Sequence, residues 1–311
     1  MQALLGMIDG LDRPIIDRAR RLYSPLGSQL DREAVCQVNA AMGTDIATAL
    51  LYVHFESKLL ASAPVGQAKS DTRPMQIAIV PGAFYKEHPE VGGDGSDLQR
   101  ISEERGWDCQ VIPTESLGTL TENAAIINSF LEERIDTRRV ILVSLSKGTS
   151  DARIGAALRG DLFERLCGWV SVSGVVHGTR MADWLIDRWW LKPVGHFMCW
   201  RHGADRQAIK DLRTIGSPLT KSMPPRTFPC LHLVGFPLRH HLSCRRSRLW
   251  HQRFCDRGPN DSVVMLDDFL VMPGTVIPFW GADHYLNSGR NESAIVAKLV
   301  ELLSDSCVMA H

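Results

Sequence analysis

The sequence predicts an α/β protein with a mostly parallel, doubly wound sheet and helices on both faces. From Pro74 onward, short apolar runs alternate with segments of helical periodicity. Such alternation is typical of a parallel sheet that is buried under helices on both sides. The chain has 311 residues, which is long enough for one large domain with insertions.

The residues before Pro74 are predicted to form an N-terminal helical arm, residues 1–73. Asp31 is typical of a helix start, and residues 44–56 have apolar side chains on a broad face. A linker rich in small residues follows at 61–70. We expect the arm to pack on the core or on a neighbouring subunit, and its sequence indicates no chemistry.

Strands and helices alternate through the predicted domain, residues 74–311. The predicted strands are residues 75–80, 109–113, 140–143, 168–174, 231–235 and 275–280. The predicted helices are residues 96–105, which Ser96 or Asp94 would cap, 121–134, 149–158 and 291–303.

A long segment at about 177–228 interrupts this alternation. Ligands of open α/β sheets bind beyond the carboxyl ends of the strands, so an insertion there predicts a cap or lid over an apolar acyl pocket. The alternatives are a helical excursion whose tryptophans fill a small core of their own, and an aromatic and basic surface that docks on a membrane. Its tryptophans are Trp184, Trp189, Trp190 and Trp200, interleaved with Arg188, Lys192, Arg201 and Arg206.

The composition is that of an ordinary globular protein, with 44% hydrophobic and 23% charged residues. Lys and Arg together number 35, as do Asp and Glu, so no global field favours nucleic acid or an anionic membrane. The eight cysteines form no CxxC pair, which argues against a zinc site or a disulfide scaffold. The first residues lack a basic leader, and Asp9 interrupts their apolar run. We therefore expect a cytoplasmic protein without a segment that spans a bilayer.

The most informative segment is residues 140–150, where an apolar strand breaks into a turn and a helix follows at once. The turn contains Ser146, flanked two residues away by the small residues Ser144 and Gly148. A nucleophilic serine stands on such a tight bend, and the amide of Lys147, at the start of the helix, would stabilise an oxyanion. Without partners, Ser146 is equally explained as a helix N-cap.

A serine becomes nucleophilic when a histidine takes its proton and a carboxylate orients that histidine. The best histidine is His284, in the loop between the last predicted strand and the final helix. The best carboxylate is Asp261, in a turn-rich loop, with Asp267, Asp268 and Asp283 as alternatives. Asp283 is discounted because neighbours along a chain seldom face each other. The non-catalytic alternatives are a capping or core histidine and a plain turn aspartate.

At these residues the chain resembles the α/β-hydrolase superfamily, in its branch of serine esterases, lipases and thioesterases. The resemblance runs from about Pro74 to the C-terminus. The order Ser146, Asp261, His284 along the chain is the order of that family's catalytic triad. The loops around Asp261 and His284 resemble the family's acid and histidine loops.

The resemblance also implies where the second oxyanion amide lies. In the family it comes from the loop after an early strand, which is residues 81–84 here, so Ala83 or Phe84 would supply it. The chain departs from the family pattern at two places. Ser144 stands where glycine is usual, and residues 81–82 are Pro-Gly where His-Gly is usual.

The implied fold is the α/β-hydrolase fold with a helical cap. The implied activity is cleavage of a carboxylic ester or thioester through an acyl-enzyme, with no metal and no organic cofactor. The expected substrate is a small molecule with an apolar acyl part. The alternatives are a non-catalytic interaction protein that keeps the fold, and an acyltransferase that uses the same three residues.

Two further motifs have other interpretations. The glycine-rich run at 91–95 precedes a predicted helix and is interpreted as a flexible loop, since it lacks the lysine of a phosphate-binding P-loop. The basic cluster at 239–248 predicts a solvated helix face. The alternative for this cluster is an anionic partner, such as a phosphorylated carrier or coenzyme A.

Overall fold

Six strands form one sheet in the order β2-β1-β3-β4-β5-β6. The molecule is described from a computed structural model. This sheet, flanked by helices, confirms the predicted fold class. The strands are β1 (Met75–Val80), β2 (Asp108–Val111), β3 (Arg139–Leu145), β4 (Gly168–Val172), β5 (Cys230–Phe236) and β6 (Thr275–Trp280).

The structure describes residues 8–62, 73–89, 92–188, 190, 197, 205–220, 228–286 and 292–308. The predicted linker lies mostly outside these residues, as do Trp189, Lys192, Trp200 and Arg201 of the predicted cap. The cap therefore stays a prediction.

The strands around the centre of the sheet run parallel. β1 pairs with β2 and with β3, so that Ile77 lies opposite both Cys109 and Ile141. β3 also pairs with β4, which sets Val143 opposite Val170. Residues on β1 and β3 are buried almost continuously because helices cover both faces of a parallel sheet.

Helices account for most of the remaining described residues. They are α1 (Arg13–Leu26), α2 (Arg32–Met42), α3 (Thr44–Ala61), α4 (Ser96–Glu104), α5 (Leu120–Glu132), α6 (Lys147–Leu158), α7 (Gly160–Phe163), α8 (Arg180–Asp187), α9 (Arg206–Asp211), α10 (Arg245–Phe254) and α11 (Glu292–Val308). Within the described part of the chain, none is both long and apolar enough to cross a bilayer.

Local side chains fix where several helices begin. The Asp31 carboxylate accepts a hydrogen bond from the Ala34 amide at 2.9 Å, which caps α2 as the sequence predicts. The predicted cap of α4 is wrong, because Gly95 holds the N-cap position with a φ of 78°. Asp94 instead accepts a hydrogen bond from the Ser96 amide at 3.1 Å.

The chain divides into two compact units, Met1–Ala63 with Leu233–Arg290, and Pro64–His232 with Asn291–His311. In the first unit, the ring of Tyr52 on α3 lies 4.8 Å from that of Trp280 on β6 and 6.0 Å from that of Phe236. The N-terminal helices thus share a core with residues late in the chain. The sequence-based boundary at residues 73 and 74 stays a prediction.

His54 is a buried histidine in the middle of α3, with 1% of its surface exposed. Its ring packs edge-on against Tyr23 and Phe55. Within the part of the chain that the structure describes, neither of its ring nitrogens has a hydrogen-bond partner. Burial lowers the pKa of His54 to about 4, and the nearby charge of Lys58 adds to the effect.

We expect His54→Phe to reduce the acid sensitivity of the fold. The folded protein holds the His54 proton less tightly than the unfolded chain, so the unfolded state is protonated first as the pH falls. Stability that is present above the unfolded pKa of 6.5 is therefore lost as the pH falls towards 4. This loss amounts to about 3 kcal/mol at most. Urea unfolding at neutral and acidic pH measures it, and equal losses in wild type and variant would contradict the assignment.

Candidate active site

The turn after β3 holds Ser146 in a strained backbone conformation, with φ 48° and ψ −115°. Its amide donates to the Val172 carbonyl at 3.0 Å, and its carbonyl accepts from the Val175 amide at 3.0 Å. A capping serine has an extended backbone, and its hydroxyl accepts a bond from the first turn of the helix. Ser146 has neither feature. The geometry is instead that of a serine displayed on a strand-to-helix turn.

Gly148 lets this turn lie against the end of β1. A Cβ atom at Gly148 would lie 2.5 Å from the carbonyl oxygens of both Val80 and Pro81. A Cβ at Gly82, in the loop after β1, would lie 3.5 Å from the Ser146 Cβ. The loop at 81–84 therefore passes beside the serine, between strands β1 and β3. The strand order reverses there, and ligands of doubly wound sheets bind at such a point.

The serine at position 144, where the α/β-hydrolase motif usually has glycine, has a local explanation. Its buried hydroxyl accepts a hydrogen bond from the Trp169 ring nitrogen at 2.8 Å. It also lies 2.8 Å from the Thr149 hydroxyl, which in turn lies 3.0 Å from the Ser171 hydroxyl. A serine fits this position because its neighbours satisfy the polar atom that it buries.

The candidate oxyanion donors border the same turn. Lys147 is the first residue of α6, where helix geometry provides no acceptor within the helix for the amide. Ala83 and Phe84 directly follow Gly82, and Phe84 has a positive φ of 61°. These positions are compatible with the predicted role, which stays a prediction.

The side chain of Lys147 is buried beneath the turn, a feature that sequence reasoning missed. Its ammonium group donates to both oxygens of Asp151 at 2.9 Å, and the Asn123 amide donates to Asp151 at 3.1 Å. Burial raises the pKa of Asp151 to about 6, and the charge of Lys147 opposes the rise. The i, i+4 spacing of Lys147 and Asp151 was the available signal. The cation next to Ser146 is thus neutralised locally.

Asp261 and His284 form a buried hydrogen-bonded pair within the first unit. The Nδ1 atom of His284 lies 2.9 Å from Oδ2 of Asp261, and the His284 amide donates to the Asp261 carbonyl at 3.0 Å. The other carboxylate oxygen accepts from the amides of Val263 and Val264 at 2.9 and 2.8 Å. An ionised carboxylate only accepts hydrogen bonds, so the imidazole proton resides on Nδ1. In the neutral imidazole, Nε2 is then the hydrogen-bond acceptor, as a general base requires.

The alternative carboxylates have other partners. Asp268 pairs with Arg32 at 2.7 Å, and Asp267 lies 3.9 Å from the same guanidinium group. Asp283 accepts from the Ser247 hydroxyl and from the Tyr285 amide, both at 3.0 Å. Of the four candidates, Asp261 is the one whose carboxylate contacts the His284 ring.

Side chains of helix α10 contact both the loop that carries Asp261 and the loop that carries His284, which the sequence did not indicate. Ser247 binds Asp283, the residue before His284. Nδ1 of His251 lies 3.1 Å from the carbonyl oxygen of Asn260, the residue before Asp261. The histidine loop also packs closely on β5, where a Cβ at Gly235 would lie 2.4 Å from the Ala282 carbonyl oxygen.

One cluster of potential metal ligands occurs among the described residues, formed by Asp12, His240 and His241. Nδ1 of His241 accepts a hydrogen bond from the Leu238 amide at 2.9 Å, so its Nε2 carries the proton and points at Asp12, 2.9 Å away. The Trp280 ring nitrogen donates to the same Asp12 oxygen at 2.7 Å. The donor set therefore suits a hydrogen-bonded carboxylate better than a metal ion.

Comparison with known proteins identifies solved structures of similar fold. No family model matches the chain, and no curated protein matches it. The structure is similar to a metagenomic carboxyl esterase, MGS0156, with a TM-score of 0.57 and 19% identity over 79% of this chain and 77% of that one. It is also similar to the mature lipase BlEst2 of Bacillus licheniformis, with a TM-score of 0.54 and 18% identity over 76% of this chain and 96% of that one. At such identities the likeness shows the fold, and it confirms the expected one.

We expect Gly148→Ala to destabilise the protein by about 2 kcal/mol or more, because the new Cβ would clash with two backbone oxygens that cannot move independently. Gly10→Ala is the matched control, since nothing lies within 4 Å of a Cβ there. It should change stability by less than about 0.5 kcal/mol. Denaturant unfolding compares the two variants, and a similar loss in both would refute the close approach at Gly148.

Proposed function

We propose that this chain, which has the α/β-hydrolase fold, is a serine hydrolase that cleaves carboxylic esters or thioesters. The observation that carries the proposal is the strained turn at Ser146, whose side chain does not cap the helix that follows. Backbone strain of this kind is concentrated at functional sites. The buried Asp261–His284 pair supports it, because an oriented imidazole is what a serine nucleophile needs. The similarity to an esterase and to a lipase adds support.

In the proposed reaction, the Ser146 hydroxyl attacks the acyl carbon while Nε2 of His284 accepts its proton. The amide of Lys147, with that of Ala83 or Phe84, holds the oxyanion, and each donor contributes about 3 kcal/mol in comparable sites. The intermediate collapses, and the alcohol or thiol leaves with the proton from His284. Asp261 stabilises the imidazolium during both transfers.

Water completes the cycle. His284 takes a proton from a water molecule that attacks the acyl-serine. The second intermediate then collapses to the carboxylic acid as His284 returns this proton to the departing Ser146 oxygen. Every proton and electron pair is accounted for by the ester, the water and these side chains, so the proposed step requires no cofactor. An apolar acyl part of the substrate and residence in the cytoplasm stay predictions of the sequence.

We expect a fluorophosphonate probe to label the wild-type protein and to leave Ser146→Ala unlabelled. Such probes react with an activated serine hydroxyl, which the variant lacks. Ser96→Ala, which changes an exposed serine at the start of α4, should keep full labelling. Gel fluorescence and intact mass measure the outcome. A folded wild type that resists the probe, or labelling that persists in Ser146→Ala, would favour a non-catalytic protein.

We expect Asp261→Asn to lower kcat on a soluble aryl ester by about 10⁴-fold while the fold is kept, because the amide favours the wrong imidazole tautomer. Asp267→Asn and Asp268→Asn are the matched controls and should stay near wild type, since those residues contact Arg32. Steady-state kinetics and circular dichroism test this. The reverse pattern would assign the acid to another loop. Product analysis with added alcohols would reveal acyl transfer.

A further inference from the structure

The segment from residue 239 to 257 concentrates positive charge in a chain whose net charge is zero. It contains one acidic residue, Asp256. Its six arginines are all exposed, and four of them lie on α10. They are Arg239, Arg245, Arg246, Arg248, Arg253 and Arg257.

Among the described side chains, three of these arginines lack the carboxylate partner that several exposed arginines elsewhere have. Arg100 pairs with Glu104 and Arg159 pairs with Asp161, each at 2.9 Å. By contrast, Arg245, Arg246 and Arg248 have no carboxylate within 4 Å among the residues that the structure describes. Their charges are therefore open to a partner outside the chain.

The position of these charges on α10 is unfavourable for the helix itself. Arg245 and Arg246 are the first two residues of the helix and Arg248 is the fourth, yet no acidic residue lies in the first turn. Cations are destabilising near the positive end of the helix dipole. Helix stability therefore does not account for this arrangement.

An exposed apolar side chain lies among the same cations. The inner face of α10 is buried through Ser247, His251 and Phe254. On the opposite face Leu249 is 54% exposed. Arg245 precedes it by four residues and Arg246 by three, so both flank it on the helix surface. The outer face of α10 thus presents a leucine bordered by arginines.

We propose that the outer face of α10 docks on a membrane surface rich in anionic phospholipids. The arginines contact the lipid phosphates, and Leu249 enters the interfacial region below them. Charge complementarity requires an anionic partner, and the exposed leucine favours one that offers an apolar layer beneath its charges, which an anionic bilayer supplies and a small soluble anion does not. The docking surface does not include Ser146, Asp261 or His284.

Docking through α10 also has a consequence for the class of substrate. This consequence rests on the proposed function. The inner face of the same helix contacts Asn260 and Asp283, which adjoin Asp261 and His284. A helix with its side chains is about 10 Å across, so these loops lie about that far from the docking face. Acyl esters carried by the membrane are then the substrate class that this arrangement favours.

Flotation with lipid vesicles tests the proposal on the full chain. The wild type should bind vesicles that contain phosphatidylglycerol, should not bind pure phosphatidylcholine, and should dissociate as salt is added. The variant Arg245→Gln/Arg246→Gln/Arg248→Gln should bind roughly a hundredfold more weakly, at about tenfold or less per charge. The matched control Arg100→Gln/Arg159→Gln/Arg165→Gln removes the same charge from arginines that pair with carboxylates, Arg165 with Asp136, and should bind as the wild type does. Equal binding by the two triple variants would overturn the proposal.

Leu249→Ser separates a lipid interface from simple charge attraction. The variant should bind vesicles about tenfold more weakly, because serine has less apolar surface than leucine to transfer from water into the lipid interface. Its binding to poly-glutamate, a soluble polyanion, should not change. Unchanged vesicle binding, or a wild type that binds poly-glutamate but no vesicles, would overturn the lipid assignment. Fluorophosphonate labelling without vesicles should be equal in all variants, so failure of docking and failure of catalysis are distinguishable.

Discussion

The strained backbone of Ser146 is the constraint that the packing of β1, β3, β4 and α6 has to satisfy. A residue held in such a conformation costs about 1–3 kcal/mol, and it persists only where its surroundings allow no other path. Here β3 is paired on both sides, by β1 and by β4, so the strand that leads into Ser146 cannot shift. Helix α6 is pressed against the end of β1 through Gly148, so the helix that leaves Ser146 cannot shift either. Apolar burial in the sheet thus supplies the energy that keeps Ser146 in this conformation.

The sequence predicted β1 and β6 well because each is a short, mostly apolar run with turn residues near its ends. β1 and β6 have the predicted bounds, Met75–Val80 and Thr275–Trp280. Local chemistry also sufficed at Asp31, since a capping aspartate bonds an amide three residues away. It failed at α4, where a glycine with positive φ, rather than a polar side chain, occupies the cap position.

Long-range contacts explain what the sequence left open at the site. Asp261, Asp267 and Asp268 are equivalent as residue types within one short stretch, so residue type alone does not choose among them. Their partners differ: Arg32, more than two hundred residues away, engages Asp268, whereas Asp261 contacts His284. Likewise, the sequence showed Ser144 only as a departure from a pattern, because its partner Trp169 lies on another strand. Partners distant along the chain are what local periodicity cannot reveal.

The two faces of helix α10 differ in charge. Arginines lie on its outer face, whereas Ser247 and His251 on its inner face contact the loops that carry His284 and Asp261. Burial lowers the pKa of His251 on its inner face, which favours the neutral ring where Nδ1 lies against the Asn260 carbonyl. A protonated His251 would add to the repulsion among the arginines of the same helix. An anionic surface bound at the outer face would relieve that repulsion and would stabilise α10 by linkage, since a ligand that binds the folded state shifts the equilibrium towards it. Because the inner face contacts the residues next to Asp261 and His284, the order of both loops depends on the stability of this one helix.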